Sequence, residues 1–538
     1  MKKCICILLV LAMLLPLSAC SKINSLLGGG EKQDFSYPIG EMPESIDPQI
    51  AEGEAALIVI ENCMEGLVRL NTEGEVIPAI ASSWDIAADG LTYTFHLNRD
   101  AHWSVDTEDE DFEIKDFKKN ITAEDFVFAV SRAVRKETNA PDFQSVSLIK
   151  NAQKINQSGS SDTASLGIRA LDSYTLEIEL ESANSDFLKS LTAAVFMPCS
   201  EQFFDYCSGR YGRGSAYFLS NGGFKLRAWN ETNIVLRKDE EYTLPNAAQA
   251  DSVTLYRDEN AFESFMNDNY DALAIEDDHI DEALADKSLS VQQYDDTVWS
   301  FAINCGSTLG SNTHLRQALM SAVDTSLLTA PEWGTPASGA VPNICTAGGE
   351  NYRQSAGKGA VLPYSVAEAG ERYQRFLKAY KSESESEELP VFQFLCTAAL
   401  EQNAKKIAQC WQTAFGTGFE IKITVLPLEE LSEQMRKGKY DGAIAPISAD
   451  TADALVFLKK FAAENTMRYS SAAFEKQLNS DKTEVEKCAA AENILLEDGV
   501  LLPLFCANSY YVQRDSVSGI YFYAFGGKVN FLQAQRVK

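Results

Sequence analysis

Two kinds of hydrophobic pattern divide this chain, and the change from one to the other most restricts its possible folds. Leu91, Tyr93, Phe95 and Leu97 alternate with Thr92, Thr94 and His96, and Leu176, Ile178 and Leu180 repeat the alternation. A period of two marks half-buried antiparallel strands. More strands are expected at 224–226, 234–236 and 253–255, beyond the Asn221-Gly222-Gly223 turn. From Val298 onward the pattern changes: strand 298–304, helices 315–323 and 366–380, then strand 391–395, helix 400–415 and strand 421–426. The last three read as a βαβ unit, which calls for a parallel sheet covered by helices. Thr122 with Asp125, and Ser365 with Glu368, have capping-box spacing at two helix starts.

At 538 residues and 45% hydrophobic, the chain can bury several cores, roughly three to four domains of ~150 residues. A net charge of −30 repels polyphosphates and anionic lipid surfaces, so no nucleic-acid partner is expected. Lys2 and Lys3 precede an apolar run over 5–17, then Leu17-Ser18-Ala19-Cys20. This is the make-up of a secretory leader, and its last four residues look like a bacterial lipobox with Cys20 as the acylated residue. Residues 1–19 are then the leader, and 20–34, with Gly28-Gly29-Gly30, a flexible tether. After Cys20 no apolar run approaches the ~18–20 residues needed to span a bilayer. The expected location is extracytoplasmic, anchored by lipid rather than membrane-spanning.

Of 12 cysteines, nine lie beyond Cys20, with no CxxC and no metal-ligand spacing. Small buried hydrophobes are the better reading, although Cys199 and Cys207 are close enough in sequence to pair. His96, His102, His279 and His314 are dispersed, and GxSxG, HExxH and P-loop motifs are absent. No enzyme, metal or cofactor is expected. The acidic run Asp106 to Asp111 lacks EF-hand spacing and reads as a solvated loop.

The stretch from Tyr440 to Phe461 is the candidate site. A short apolar run, 443–447, suits a buried strand that Pro446 should end, having no N–H for a ladder bond. A helical pattern follows, with Leu455, Leu458 and Phe461 on one face. Asp450, between them, fits either a helix cap or a carboxylate facing a cleft.

The order of motifs resembles the extracytoplasmic solute-binding proteins of peptide-type ABC importers, the oligopeptide- and dipeptide-binding family. The pieces are Ser45-Ile46-Asp47-Pro48, Glu65-Gly66-Leu67, Ile77 to Trp84, Asp89 to Leu97, Trp103-Ser104 and Thr122 to Phe126. Asn221-Gly222-Gly223-Phe224, Ile303-Asn304, Leu315 to Leu319 and Leu502-Pro503-Leu504 complete the series. The resemblance implies an α/β, two-lobed periplasmic-binding-protein fold (type II, cluster C-like) with an extra α+β subdomain. Subdomain I would comprise 35–57, 190–300 and 506–538, subdomain II 58–189, and the second lobe 301–505. Chain crossings would fall near 298–304 and 503–509. It implies a monomer that captures a short peptide, or a similar ammonium-bearing solute, and delivers it to ABC permease subunits. A sugar oligomer or metal chelate is the rival cargo; a surface hydrolase or signalling receptor is the rival class.

For the site, the resemblance puts Asp450 against the ligand's α-ammonium, beside Ile447, Ser448 and Ala449. It makes Glu52, Gly53, Glu54 and Ala55 a main-chain edge along the ligand, with Trp299 and Asn304 at the first crossing. Departures are local. Pro446-Ile447 stands where the family has Gly-Trp, Ala454 replaces a proline, and Ile444 replaces an arginine some members direct at the ligand's C-terminus.

Overall fold

The computed structural model describes residues 32–537 except 72–73, 106–113, 276–278, 332–333, 384–387, 450, 463–464 and 526–527. The expected leader, Cys20 and most of the tether lie outside the described residues, as do Asp450 and the acidic run from Asp106.

Three sheets organise the chain. In the first, Asp34–Ile39 pairs in parallel with Ser252–Arg257, which continues antiparallel to Asn233–Lys238 and Phe224–Trp229. The second is wholly antiparallel, in the order Ala81–Ile86, Thr92–Leu97, Thr175–Glu179, Ile168–Asp172. Its strand Thr92–Leu97 buries Tyr93, Phe95 and Leu97 and turns Thr92, Thr94 and His96 outward, as the alternation predicts. Helix Ala123–Ala133 covers it, held at its start by the reciprocal Thr122–Asp125 capping box.

The third sheet has seven strands, and two long ones run through its middle. Leu289–Ile303 and Leu501–Arg514 pair antiparallel from Leu289 opposite Arg514 to Ala302 opposite Leu501. At one end Ala272–Ile275 adds to the second long strand, beside the first sheet, where Ser36 N donates to Asp271 Oδ2 at 2.8 Å. At the other end Gly442–Ser448 adds to the first, followed in parallel by Phe392–Cys396 and Ile421–Val425. The same pair of strands thus serves two bodies. Between the ends the register slips at Tyr294/Thr297, leaving Asp295 and Asp296 as a bulge.

Helix Glu401–Phe415 supplies the βαβ crossover, burying Ala404, Ile407, Ala408 and Trp411 on one face. Trp411 is fully buried, its ring 5.1 Å from Phe301, 5.3 Å from Phe394 and 5.4 Å from Phe392. Such ring pairs each contribute about 0.5–1.5 kcal/mol beyond the area they bury. A second core joins the first two sheets and takes in Ala449, Leu455, Val456 and Phe457 from across the molecule.

One local expectation is corrected. Pro446 does not end its strand: it sits opposite Trp299, and pairing runs on to Ser448. The neighbour Phe392–Cys396 pairs with only Gly442 and Ala443, so beyond them one edge is already free and a missing N–H breaks no ladder there. Cys199 and Cys207 are both free, buried thiols, like most of the described cysteines. Among the described residues no helix is long and apolar enough to cross a membrane.

Candidate functional site between the lobes

Where strand Gly442–Ser448 ends, the chain is tied to the first long strand. Thr297 and Ser448 hydroxyls lie 2.8 Å apart, and Ala449 N donates to Asp296 O at 3.0 Å. Thr346 N then donates to Ala452 O at 2.6 Å. The cap of helix Ala454–Lys459 is Asp453, whose Oδ1 accepts from Leu455 N and Val456 N at 2.7 and 3.3 Å. Capping is thereby provided without Asp450.

The second oxygen of Asp453 faces the opposite body. Asn184 Nδ2 donates to Asp453 Oδ2 at 2.7 Å, both residues being buried. Beside it Ser185 N donates to Glu484 Oε1 at 2.7 Å, and Thr346 Oγ1 to Asp186 Oδ1 at 3.1 Å. These bonds latch the second sheet's body to the body carrying 301–500. Burial pushes the Asp453 carboxyl up to about 6, opposed by the Asn184 bond. Asp296, in the bulge, is likewise raised to about 6 by burial, against hydrogen bonds from Ser509 Oγ.

A chamber of about 360 Å³ opens next to this latch. One wall comes from the end of helix Glu54–Cys63 and the residues after it, with Glu61, Met64, Glu65 and Arg69. Lys189, Met197, Tyr523 and Lys528 extend that wall, Tyr294 enters from the first long strand, and Ile344, Thr346, Thr451 and Ala452 face it from the other lobe. A mostly apolar hollow of this size with a few charged groups, set between two bodies, is the usual form of a small-ligand site.

The charged lining is ordered by its partners. Arg69 is 2.8 Å from Glu65 and 3.8 Å from Glu61; burial alone would lower its pKa, but the Glu65 carboxylate holds it raised. Glu65 also accepts from Tyr242 Oη and Asn246 Nδ2, and Glu61 from Tyr523 Oη and Asn530 Nδ2. Lys189 lies 3.4 Å from Asp186, and Lys528 Nζ donates to Thr192 O at 3.1 Å.

The candidate residues from sequence do not gather in one place. Glu52, Gly53, Glu54 and Ala55 line a different hollow of about 590 Å³, where Arg436 faces them. Ile447, Ser448 and Ala449 border neither hollow, though Thr451 and Ala452 just beyond them line the first. Trp299 is buried in the core opposite Phe505 and Pro446. Asn304 is buried too; its Nδ2 donates to Tyr440 O at 2.9 Å and its Oδ1 accepts from Gly306 N, fixing the end of the first long strand. The chamber's cations were not singled out from sequence, because Arg69, Lys189 and Lys528 come from three distant stretches with no shared motif. Of the motif pieces read from sequence, Glu65-Gly66-Leu67 gave a pointer, since Glu65 and Gly66 both line the chamber.

Two α/β bodies bridged by a pair of long strands, closing on a chamber lined from both sides, define the two-lobed binding-protein fold. The family model for the bacterial extracellular solute-binding proteins, family 5 (middle region), matches residues 75–468, and the chain belongs to that family. It is 23% identical over 497 residues to the dipeptide-binding protein DppE of Bacillus subtilis, covering 89% of this chain and 87% of DppE. The structure of Listeria monocytogenes OppA bound to peptide matches with a TM-score of 0.76 at 23% identity, over 94% of this chain and 99% of the other. For the murein tripeptide binding protein MppA, the Escherichia coli structure scores 0.72, at 20% identity over 95% of this chain and 99% of MppA. The unliganded open form of MppA scores 0.62, at 21% identity over 95% and 98%.

Proposed function

We propose that this chain is the substrate-binding component of an ABC importer, capturing short peptides between its lobes and altering none of their bonds. The carrying observation is the chamber lined by both lobes behind the Asn184–Asp453 latch. A ligand touching both walls stabilises the closed state by its differential contacts, and closure is what a permease can read. The peptide-binding names of DppE and OppA support this cargo class. In this reading, 35–57, 190–300 and 506–538 form subdomain I, 58–189 subdomain II and 301–505 the second lobe, which swings on the two long strands. Asp450 receives the ligand's α-ammonium, Cys20 carries a lipid after removal of 1–19, and 20–34 spaces the fold from the membrane.

Native mass spectrometry of the purified chain is expected to release a retained peptide, and calorimetry with a peptide pool to show binding that weakens in Asp450→Ala. Equal heats in both proteins remove Asp450 from the site; a retained sugar or chelate removes the cargo class. Cys20→Ser is expected to shift the protein from membrane to soluble fraction and abolish fatty-acid labelling.

A further inference from the structure

We propose that the chamber recognises a carboxylate of its ligand through Lys528, so that the protein prefers peptides presenting an acid group at this end. The inference rests on the peptide-binding reading above and specifies what the chamber selects.

The chain carries a net charge of −30, yet among the described residues its interlobe chamber is lined by three cations, Arg69, Lys189 and Lys528, against two carboxylates, Glu61 and Glu65. The carboxylates are already committed. Glu65 accepts from Arg69, Tyr242 and Asn246, and Glu61 from Tyr523 and Asn530 while lying near Arg69. Arg69 is neutralised between them. Lys189 has Asp186, 3.4 Å away.

Lys528 differs. Its ammonium gives one hydrogen to the Thr192 carbonyl at 3.1 Å, and among the described residues no carboxylate forms an ion pair with it. An ammonium has three N–H groups, so the wall leaves hydrogen-bonding capacity and one positive charge facing the hollow. Met64, Met197, Ala193 and Phe525 line the same space. Apolar surroundings lower the local dielectric, which penalises an unanswered charge and strengthens its attraction to an incoming anion. In a peptide that anion is a carboxylate, from either the C-terminus or an Asp or Glu side chain.

The test is calorimetry at pH 7 on the full chain with four probes: trialanine, its C-terminal amide, and the amides of Ala-Glu-Ala and Ala-Gln-Ala. Wild type is expected to bind trialanine, or the Glu-containing amide, at least about tenfold more tightly than the uncharged partner, the usual scale for one charged contact. Which pair shows the difference identifies the source of the carboxylate. The preference should fall below about threefold in Lys528→Gln and survive in Lys528→Arg, with melting temperatures near wild type because this side chain is only part-buried. Peptides that bind without regard to the carboxylate, or a preference that persists in Lys528→Gln, overturn the inference and leave the peptide reading intact. Failure of all four to bind overturns both.

Discussion

Asn184 and Asp453 stand 269 residues apart in the chain and meet at 2.7 Å between the lobes. Asn184 also takes part in the packing of the wholly antiparallel second sheet's body, its carbonyl accepting from Tyr93 Oη at 3.0 Å. Asp453 simultaneously caps helix Ala454–Lys459. One hydrogen bond therefore couples a helix start in the second lobe to the antiparallel sheet of the first. Asn184→Ala leaves a buried carboxylate oxygen without its partner in the closed state, a cost of about 1–3 kcal/mol. The expected result is ligand affinity lowered about 5- to 100-fold, and a larger radius of gyration for the unliganded variant by small-angle scattering. An unchanged radius and affinity would show that the lobes close without this bond.

The same carboxylate makes closure pH-dependent. Its pKa is raised to about 6 in the closed form, with burial the main cause, and opening would return it towards the ordinary value of about 3.9. Closing then takes up a proton, so the favourable contribution is complete below about pH 4 and is lost as pH rises through 6. Affinity is expected to be about tenfold higher at pH 5 than at pH 7.5. Nearby Lys459, lowered to about 8 by burial, titrates above this window and contributes little to the difference. Asp453→Asn should flatten the profile, and calorimetry across pH 5–7.5 on both proteins checks it.

A buried pair ties a motif read from sequence to the fold. Arg132 reaches Asp47 through Nη2–Oδ2 at 2.5 Å and Nη1–Oδ1 at 3.3 Å, with both residues buried and the guanidinium 4.0 Å from the centre of the Phe204 ring. This explains why Ser45-Ile46-Asp47-Pro48 carries an acid: it anchors the N-terminal loop to helix Ala123–Ala133. Removing one partner strands a buried charge, so Arg132→Met is expected to cost about 3–5 kcal/mol in urea denaturation. Arg132→Met with Asp47→Asn should recover part of that loss.

Periodicity made most of the elements readable, because period-two strands and one-faced helices write their burial into local sequence. The Thr122–Asp125 box formed on both sides. At Ser365 only half of the expected box formed: Glu368 N donates to Ser365 Oγ, while Ser365 N goes to Ser321 O and the Glu368 carboxylate lies 3.6 Å from Arg372. Tertiary partners displaced the local one. The first long strand begins at Leu289, well before Val298, because a bulge accommodates Asp295 and Asp296 where the residues themselves suggest a break. The chamber was the least legible part. Its walls are assembled from segments hundreds of residues apart, and what distinguishes Lys528 from any surface lysine is the set of partners it meets after folding.

Asn221-Gly222 shows a motif whose small residue is demanded by backbone proximity. Asn221 N and Gly222 N both donate to Cys63 O at 2.9 Å, and the Asn221 side chain pairs with Glu65 through both its oxygen and its nitrogen. A Cβ on Gly222 would come within 2.9 Å of Cys63 C and Met64 N, both main-chain atoms. No rotamer change can relieve a clash between backbones, so the end of helix Glu54–Cys63 would have to move, and Glu65, Gly66 and Arg69 of the chamber wall with it. Gly222→Ala is therefore expected to destabilise the protein by about 1–3 kcal/mol, the range for overpacking, and to weaken ligand binding as well. By contrast, Gly209→Ala, where a Cβ meets nothing within 4 Å but φ is +82°, should cost only backbone strain of about 1 kcal/mol and leave affinity unchanged. Thermal melts and calorimetry on the two variants separate displacement of the wall from loss of stability alone.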